Sequence, residues 1–365
     1  MRTRLSLMFV IVLLALPLAA PAKGIPGRID SLAPMTSARA AHTATLLNDG
    51  RVLLAGGMLR DRAMLSSSEL YSPVSNTFSP AAEMSARRVS HSATLLSDGR
   101  VLIAGGYGPG RLNSAEIYDP QSDTFTVVGA MAAARGGHSA TVLGDGRVLL
   151  VGGAEAGEAA AELFDLTTET FTALDSAAVM REGHTATLLD DGRVLIAGGQ
   201  GGADATVLSS AEIFDPAAGS FSAAGDMTFP RRTHGAVRLA DGRVLIVGGS
   251  DGGWQGRYAS AETYDPELGT FTVTAAMQAP RFKIGSAIVP LESGQILIAG
   301  DSAVVELFSV EGDLFIPVDG RINARYLYMT ATLLDDGRVL ITGGYDTDIE
   351  ATAQAWIYTQ DGSGF

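Results

Sequence analysis

One phrase recurs seven times along the 365-residue chain, and it restricts what the chain can fold into more than any other feature. Its clearest copy runs from Arg88 to Gly106 and reads Arg-Val-Ser-His-Ser-Ala-Thr-Leu-Leu-Ser-Asp-Gly-Arg-Val-Leu-Ile-Ala-Gly-Gly. The first glycine closing each copy falls at Gly56, Gly105, Gly152, Gly198, Gly248, Gly300 and Gly343, at intervals of 43 to 52 residues. A period of that size marks an array whose units stack on one another.

Each unit resolves into four strands, A to D, illustrated by His91 to Leu96, Arg100 to Ala104, Ala115 to Tyr118 and Thr124 to Val128. The A/B connection is Asp-Gly at Asp49, Asp98, Asp145, Asp191, Asp241 and Asp336, and Ser293-Gly294 in the sixth copy. Asp-Gly suits a two-residue hairpin turn, which needs positive φ. Proline ends strand C at Pro120, Pro216 and Pro266. A four-stranded antiparallel unit repeated seven times cannot bury both faces alone, so the units must pack around an axis. The expected fold is all-β, a seven-bladed propeller.

The glycine pair, the following Glu and Tyr or Phe, and an aromatic seven residues later (Phe78, Phe125, Phe171, Phe221, Phe271 and Phe315) make the chain resemble the kelch-repeat family over nearly all of residues 29–365. The family often has tryptophan at that closing position. The copies look most like bacterial secreted kelch repeats and the propeller of galactose oxidase. The last copy runs from Tyr358 to Phe365 and stops before a full strand D. Because Ile29 to Met35 has the spacing of Phe125 to Met131, this N-terminal segment is expected to complete blade seven and remove an open sheet edge.

Arg2 and Arg4, the apolar run Leu5 to Leu18 and the small residues Ala20-Pro21-Ala22 read as a signal peptide cleaved after Ala22, leaving residues 23–365 as one domain. The run is too short to remain as a membrane span. The protein is therefore expected outside the cytoplasm, secreted or periplasmic. Removing residues 1–22 moves the formal charge from −14 to −16, which argues against nucleic acid and anionic lipid as partners. With no cysteine, neither a disulfide nor a thiol-linked lipid is available.

All five histidines (His42, His91, His138, His184 and His234) occupy one repeat position. A metal site needs ligands converging on a point, whereas a repeat column spreads them around a ring, so these are read as inter-blade hydrogen-bonding groups. Two further columns are Glu69, Glu116, Glu162, Glu212, Glu262 and Glu306, and Arg39, Arg88, Arg135, Arg181 and Arg231. A buried carboxylate must be paired, so both are read as scaffold. The glycine-rich stretches Gly105 to Gly110 and Gly198 to Gly202 lead into strands, not helices, and so lack the helix N-terminus of a phosphate loop. Galactose oxidase depends on a cysteine joined to a tyrosine at its copper. The missing cysteine argues against that activity, and no cofactor is expected.

Topology places the A/B and C/D turns on one face and the B/C and D/A connections on the other. The second face varies between blades, and unique residues there are the candidates for ligand contact. They are Tyr107, Arg111, Asp251, Trp254, Arg257, Tyr258, Phe282, Lys283, Tyr326, Tyr328, Tyr345, Asp346 and Asp348. The Trp254 loop ranks first, since aromatic and arginine side chains give large contact area with few torsions to freeze. The reading is a monomeric, non-enzymatic scaffold binding a protein or a glycan. The family resemblance implies an alternative, a sugar isomerase or oxidase working in the central funnel, and a purely structural surface component is a third possibility.

Overall fold

The structure, a computed structural model, describes residues 27–60, 63–155, 160–174, 179–201, 204–252 and 256–360. The segment 1–22 expected to be a signal peptide and the candidate Trp254 lie outside them. Seven four-stranded antiparallel sheets form, and blade two shows the pattern: Ser92–Leu95, Val101–Ala104, Ala115–Asp119 and Thr124–Val127. Neighbouring A strands contact one another from blade to blade until the seventh, Thr330–Leu333, meets the first, Thr43–Leu46. That closure defines the central axis. The B/C loop of blade four adds a small ribbon, Gln200–Gly201 against Thr206–Val207.

Strand B explains why the phrase carries four apolar residues in a row instead of alternating. In Val101–Ala104 every residue is buried, because both faces of the strand are covered by neighbouring blades. The core is accordingly a set of inter-blade layers, such as Leu53 and Ala55 of blade one against Val101, Ile103 and Tyr118 of blade two. Each strand C aromatic packs across the sheet on its strand D partner, as in Tyr118 on Phe125 with ring centroids 4.9 Å apart.

Blade seven takes its outer strand from the N-terminus. Arg28–Ser31 pairs antiparallel with Ala355–Thr359, setting Ile29 opposite Tyr358 just as Phe125 stands opposite Tyr118. The register is the one that the spacing of the last and first copies predicts.

The A/B turn differs from the expected two-residue form. Leu47 N–H bonds Arg51 O at 2.8 Å and Gly50 N–H bonds Leu47 O at 3.0 Å, which makes a three-residue loop. Only Gly50 has positive φ. Asp49 instead accepts the Arg51 N–H at 3.0 Å and pairs with its guanidinium, and that pairing favours the longer loop.

Two side-chain columns fasten the blades together. Arg88 sends its guanidinium into its own blade, to Gly105 O at 2.8 Å and Glu116 at 2.7 Å, while its carbonyl accepts the N–H of Gly57 in the preceding blade at 2.9 Å. Close approach at Gly57 needs glycine: φ is 98°, and a Cβ would sit 2.9 Å from Ala40 O. The same arginine–glutamate pair recurs in six blades, including Arg281–Glu306, whose arginine the sequence reading left out of its column.

The histidines form the second column. His91 Nε2 shares a hydrogen bond with Thr43 Oγ1 (3.1 Å), His138 with Ser92 (2.9 Å), His184 with Ser139 (2.8 Å), His234 with Thr185 (2.9 Å) and His42 with Thr342 (3.0 Å). Burial, with the nearby arginine second, holds His42, His138 and His234 down at about 3 and the other two well below the usual histidine value, so all five are neutral. Blades six and seven carry Ile284 and Met329 instead, and there the preceding blade offers Gly235 and Gly285 where the others offer a hydroxyl. Donor and acceptor have been lost together, as the cost of an unpaired buried polar group requires.

Candidate functional site

The residue just before each histidine position forms an unbroken ring around the axis. Ser90 N–H bonds Ala41 O, Gly137 bonds Ser90, Gly183 bonds Gly137, Thr233 bonds Gly183, Lys283 bonds Thr233, Tyr328 bonds Lys283 and Ala41 bonds Tyr328, all at 2.7 to 3.2 Å. All seven are left-handed, with φ between 50° and 65°. That conformation costs a non-glycine residue about 1 kcal/mol or more, and the ring of hydrogen bonds holds it. Five members are small. The two large ones, Lys283 and Tyr328, come from adjacent blades and make the aperture lopsided.

Lys283 stands in a box of rings. Its Nζ bonds Tyr345 Oη at 2.6 Å and lies 4.8 to 5.3 Å from the centroids of Tyr328, Phe282 and Tyr345. Burial, followed by the charges of Arg232 and Arg257, lowers its pKa to about 8. Burial also raises that of Tyr328.

A cavity of about 750 Å³ sits on the ring and is lined by Arg111, Glu182, Gln200, Arg232, Phe282, Lys283 and Tyr328, among others. Glu182 anchors one wall, accepting Tyr107 Oη at 2.7 Å and Arg111 Nη2 at 3.0 Å. Burial and this bond push Tyr107 up to about 12. Antiparallel bridges between the D/A and B/C segments, Val89 with Tyr107, Glu182 with Gln200 and Leu327 with Tyr345, carry these side chains to one face. Beneath the ring a smaller space of about 130 Å³ is bounded by His42, His184 and His234. The opposite face also has a cavity, about 710 Å³, but it is lined mainly by the Asp-Gly-Arg and Asp-Pro turns that recur from blade to blade.

The candidate ligand residues therefore divide. Arg111, Phe282, Lys283 and Tyr328 line the funnel, with Tyr107 and the buried Tyr345 behind them, bonded to Glu182 and Lys283. Arg257 borders it, with its guanidinium 4.4 Å from the Phe282 ring and 3.5 Å from Asp301. Asp301 is buried, accepts the Phe282 N–H at 2.9 Å and pairs with Arg325; desolvation pushes it up to about 7. Tyr258 lies against Phe229 and Arg231 in blade five. Asp251 is exposed, and Asp346 caps its own loop by accepting the N–H groups of Asp348 and Glu350. Tyr326 is a correction: it is buried and packs on Trp356, so it belongs to the core rather than the loop face. Glu182, Gln200 and Arg232 were missed. Glu182 and Arg232 sit two before the histidine position, where the other copies read Ala40, Val89, Gly136, Phe282 and Leu327, and that irregular column was the available signal.

Segments 88–132, 183–228 and 231–278 match the Kelch motif. No curated protein matches the sequence. Among solved structures the chain is similar to a novel fungal alcohol oxidase described as having catalytic diversity among the AA5 family, in complex with copper. The TM-score is 0.76 and the identity 18%, over 92% of this chain and 76% of that one. At that identity the likeness is one of fold. A copper centre of the cysteine–tyrosine kind does not fit the residues present: the chain has no cysteine, and every histidine Nε2 is already engaged by a hydroxyl. Among the described residues no three metal-ligating side chains converge. Seven four-stranded blades built on one repeat make the chain a seven-bladed β-propeller, three of whose copies match the Kelch motif.

Proposed function

We propose that the protein is an exported carbohydrate-binding propeller whose ligand seats in the funnel above the seven-residue ring. One observation carries this reading: aromatic rings and hydrogen-bonding edges converge on a single cavity of about 750 Å³. Phe282 and Tyr328 supply apolar faces, while Arg111, Glu182, Gln200 and Arg232 supply polar edges. A sugar presents the matching pair of surfaces, a C–H face and a rim of hydroxyls. Cavities of this size suit one or two sugar rings. The test is a glycan array followed by calorimetry on residues 23–365, with Arg111→Ala and Glu182→Gln beside the unaltered protein. Saturable binding weakened at least about 10-fold by either change supports the funnel. Binding lost only in Trp254→Ala moves the site to the blade-five loop.

A second reading, enzymatic turnover of a sugar, draws on the Lys283 amine, which is bonded to the Tyr345 hydroxyl behind it and lines the same funnel as the Glu182 carboxylate. Such a pairing offers a proton donor and an acceptor to one ligand. A sugar chemically altered on incubation with the protein, followed by NMR, would favour it over simple binding.

A further inference from the structure

The chain as a whole is acidic, with a formal charge of −14, yet its funnel collects cations. Arg232 and Lys283 come from neighbouring blades, line the same cavity and lie close enough for the guanidinium to disfavour the ammonium. Among the described residues neither forms an ion pair with a carboxylate. Arg232 Nη1 bonds the side-chain oxygen of Gln200, and Lys283 Nζ bonds the Tyr345 hydroxyl at 2.6 Å. The carboxylates nearby are engaged elsewhere: Glu182 by Tyr107 and Arg111, Glu155 by Arg111, and Asp301 by Phe282 N, Arg257 and Arg325.

Elsewhere the protein treats buried cations differently. Each of the six deeply buried arginines has its own glutamate within 2.5 to 2.9 Å. Two half-sheltered cations set side by side without a counter-ion are unfavourable in the empty funnel, and a bound anion relieves that repulsion. A guanidinium beside an ammonium suits a carboxylate: the fork takes both oxygens and the ammonium adds a third donor.

Resting on the carbohydrate reading, we propose that the ligand is an acidic sugar whose carboxylate is held by Arg232 and Lys283 while its ring lies against Phe282 and Tyr328. Tyr107, Arg111 and Glu182 then meet the hydroxyls on the far side. The site is lopsided because it has to recognise one charged substituent on an otherwise neutral ring.

Calorimetry with D-glucuronate, D-galacturonate and D-mannuronate oligosaccharides, each beside its methyl ester, tests this on the unaltered protein. Esterification removes the charge and leaves the ring and its hydroxyls. At least one acid should bind about 10-fold or more tighter than its ester. Arg232→Gln and Lys283→Met should each cut that preference to roughly 3-fold or less without abolishing ester binding, their thermal midpoints serving as the check on folding. Equal binding of acid and ester overturns the proposal and leaves the carbohydrate reading standing. If no acidic or neutral glycan of an array binds, the carbohydrate reading falls and this proposal with it. The acid–ester comparison needs no variant, so it decides the matter even if a substituted protein misfolds.

Discussion

The rings of Tyr326 and Trp356 pack at 5.7 Å in blade seven, at the two repeat positions where the other six blades set an arginine against a glutamate. Both solutions fill the same repeat position within a blade, one with a desolvated ion pair and the other with apolar contact. Half of either is unfavourable. Trp356→Glu is expected to destabilise by about 3–5 kcal/mol, because it leaves a carboxylate buried beside a tyrosine. Adding Tyr326→Arg should recover part of that loss. Urea unfolding of the two singles and the double measures the coupling, and additive singles would count against the equivalence of the two pairs.

The histidine column should make the propeller sensitive to mild acid. The folded histidines titrate at about 3 where values are resolved, and in the unfolded chain at the usual 6.5, so between these pH values the unfolded state binds more protons. Their contribution is fully present above pH 6.5 and is lost as pH falls toward 3, at about 1–2 kcal/mol for each histidine between pH 7 and pH 5. The depressed turn aspartates such as Asp145 add to the loss only near and below their ordinary value of 3.8. A His138→Gln variant should show a shallower fall in stability over pH 7 to 5. An unchanged slope would mean that His138 is not neutral in the fold.

How much of this was legible beforehand depends on whether a feature repeats. The pairing of Ile29 with Tyr358 could be read because the strand C to strand D aromatic spacing recurs in every unit, so a missing partner at one end could be sought at the other. Arg281 escaped notice for the opposite reason: the arginines are easiest to find three residues before a histidine, and there the sixth copy has Ile284. The funnel shows the same limit. Phe282, Lys283, Tyr328 and Tyr345 were singled out as departures from the repeat, but sequence alone could not say that their blades point them at one axis while Tyr326, two residues from Tyr328, turns into the core. Glu182 and Arg232 stood out in the sequence only as irregularities two before the histidine position, a weak signal because a charged residue in a loop ordinarily means only solvent.

Closure of blade seven is expected to be a weak point. Ile29 is buried against Tyr358 and joined to Asp319 by a 2.9 Å backbone hydrogen bond. Ile29→Asp should cost about 2–5 kcal/mol and uncover the edge of strand Ala355–Thr359. Calorimetric melting and size-exclusion chromatography would register this as a lower midpoint with added oligomer. A monomer of unchanged stability would show that the last blade holds without its borrowed strand.

Affinity for an acidic ligand should depend on pH through Lys283. Burial and the neighbouring Arg232 and Arg257 favour loss of its proton, Asp301 opposes it, and the Tyr345 hydroxyl and the Tyr328 ring lie alongside. With a pKa of about 8 in the empty protein, affinity for a uronate should fall roughly 10-fold from pH 7 to pH 9, while its methyl ester stays flat. Lys283→Arg should abolish the dependence. A uronate profile that stays flat in the unaltered protein would remove Lys283 from the anion's contacts.

The borrowed strand also sets an order of events. Residues 28–31 are among the first of the fold to leave the ribosome and residues 355–359 among the last, yet they share one sheet. Blades one to six can assemble as they are synthesised, each on its predecessor, whereas the seventh must wait for both ends. Until then the first blade lacks a neighbour on one side and the ring of backbone bonds around the axis stays open. The funnel does not exist on a partial chain, so the binding proposed for it is expected to arise only in the final folding step.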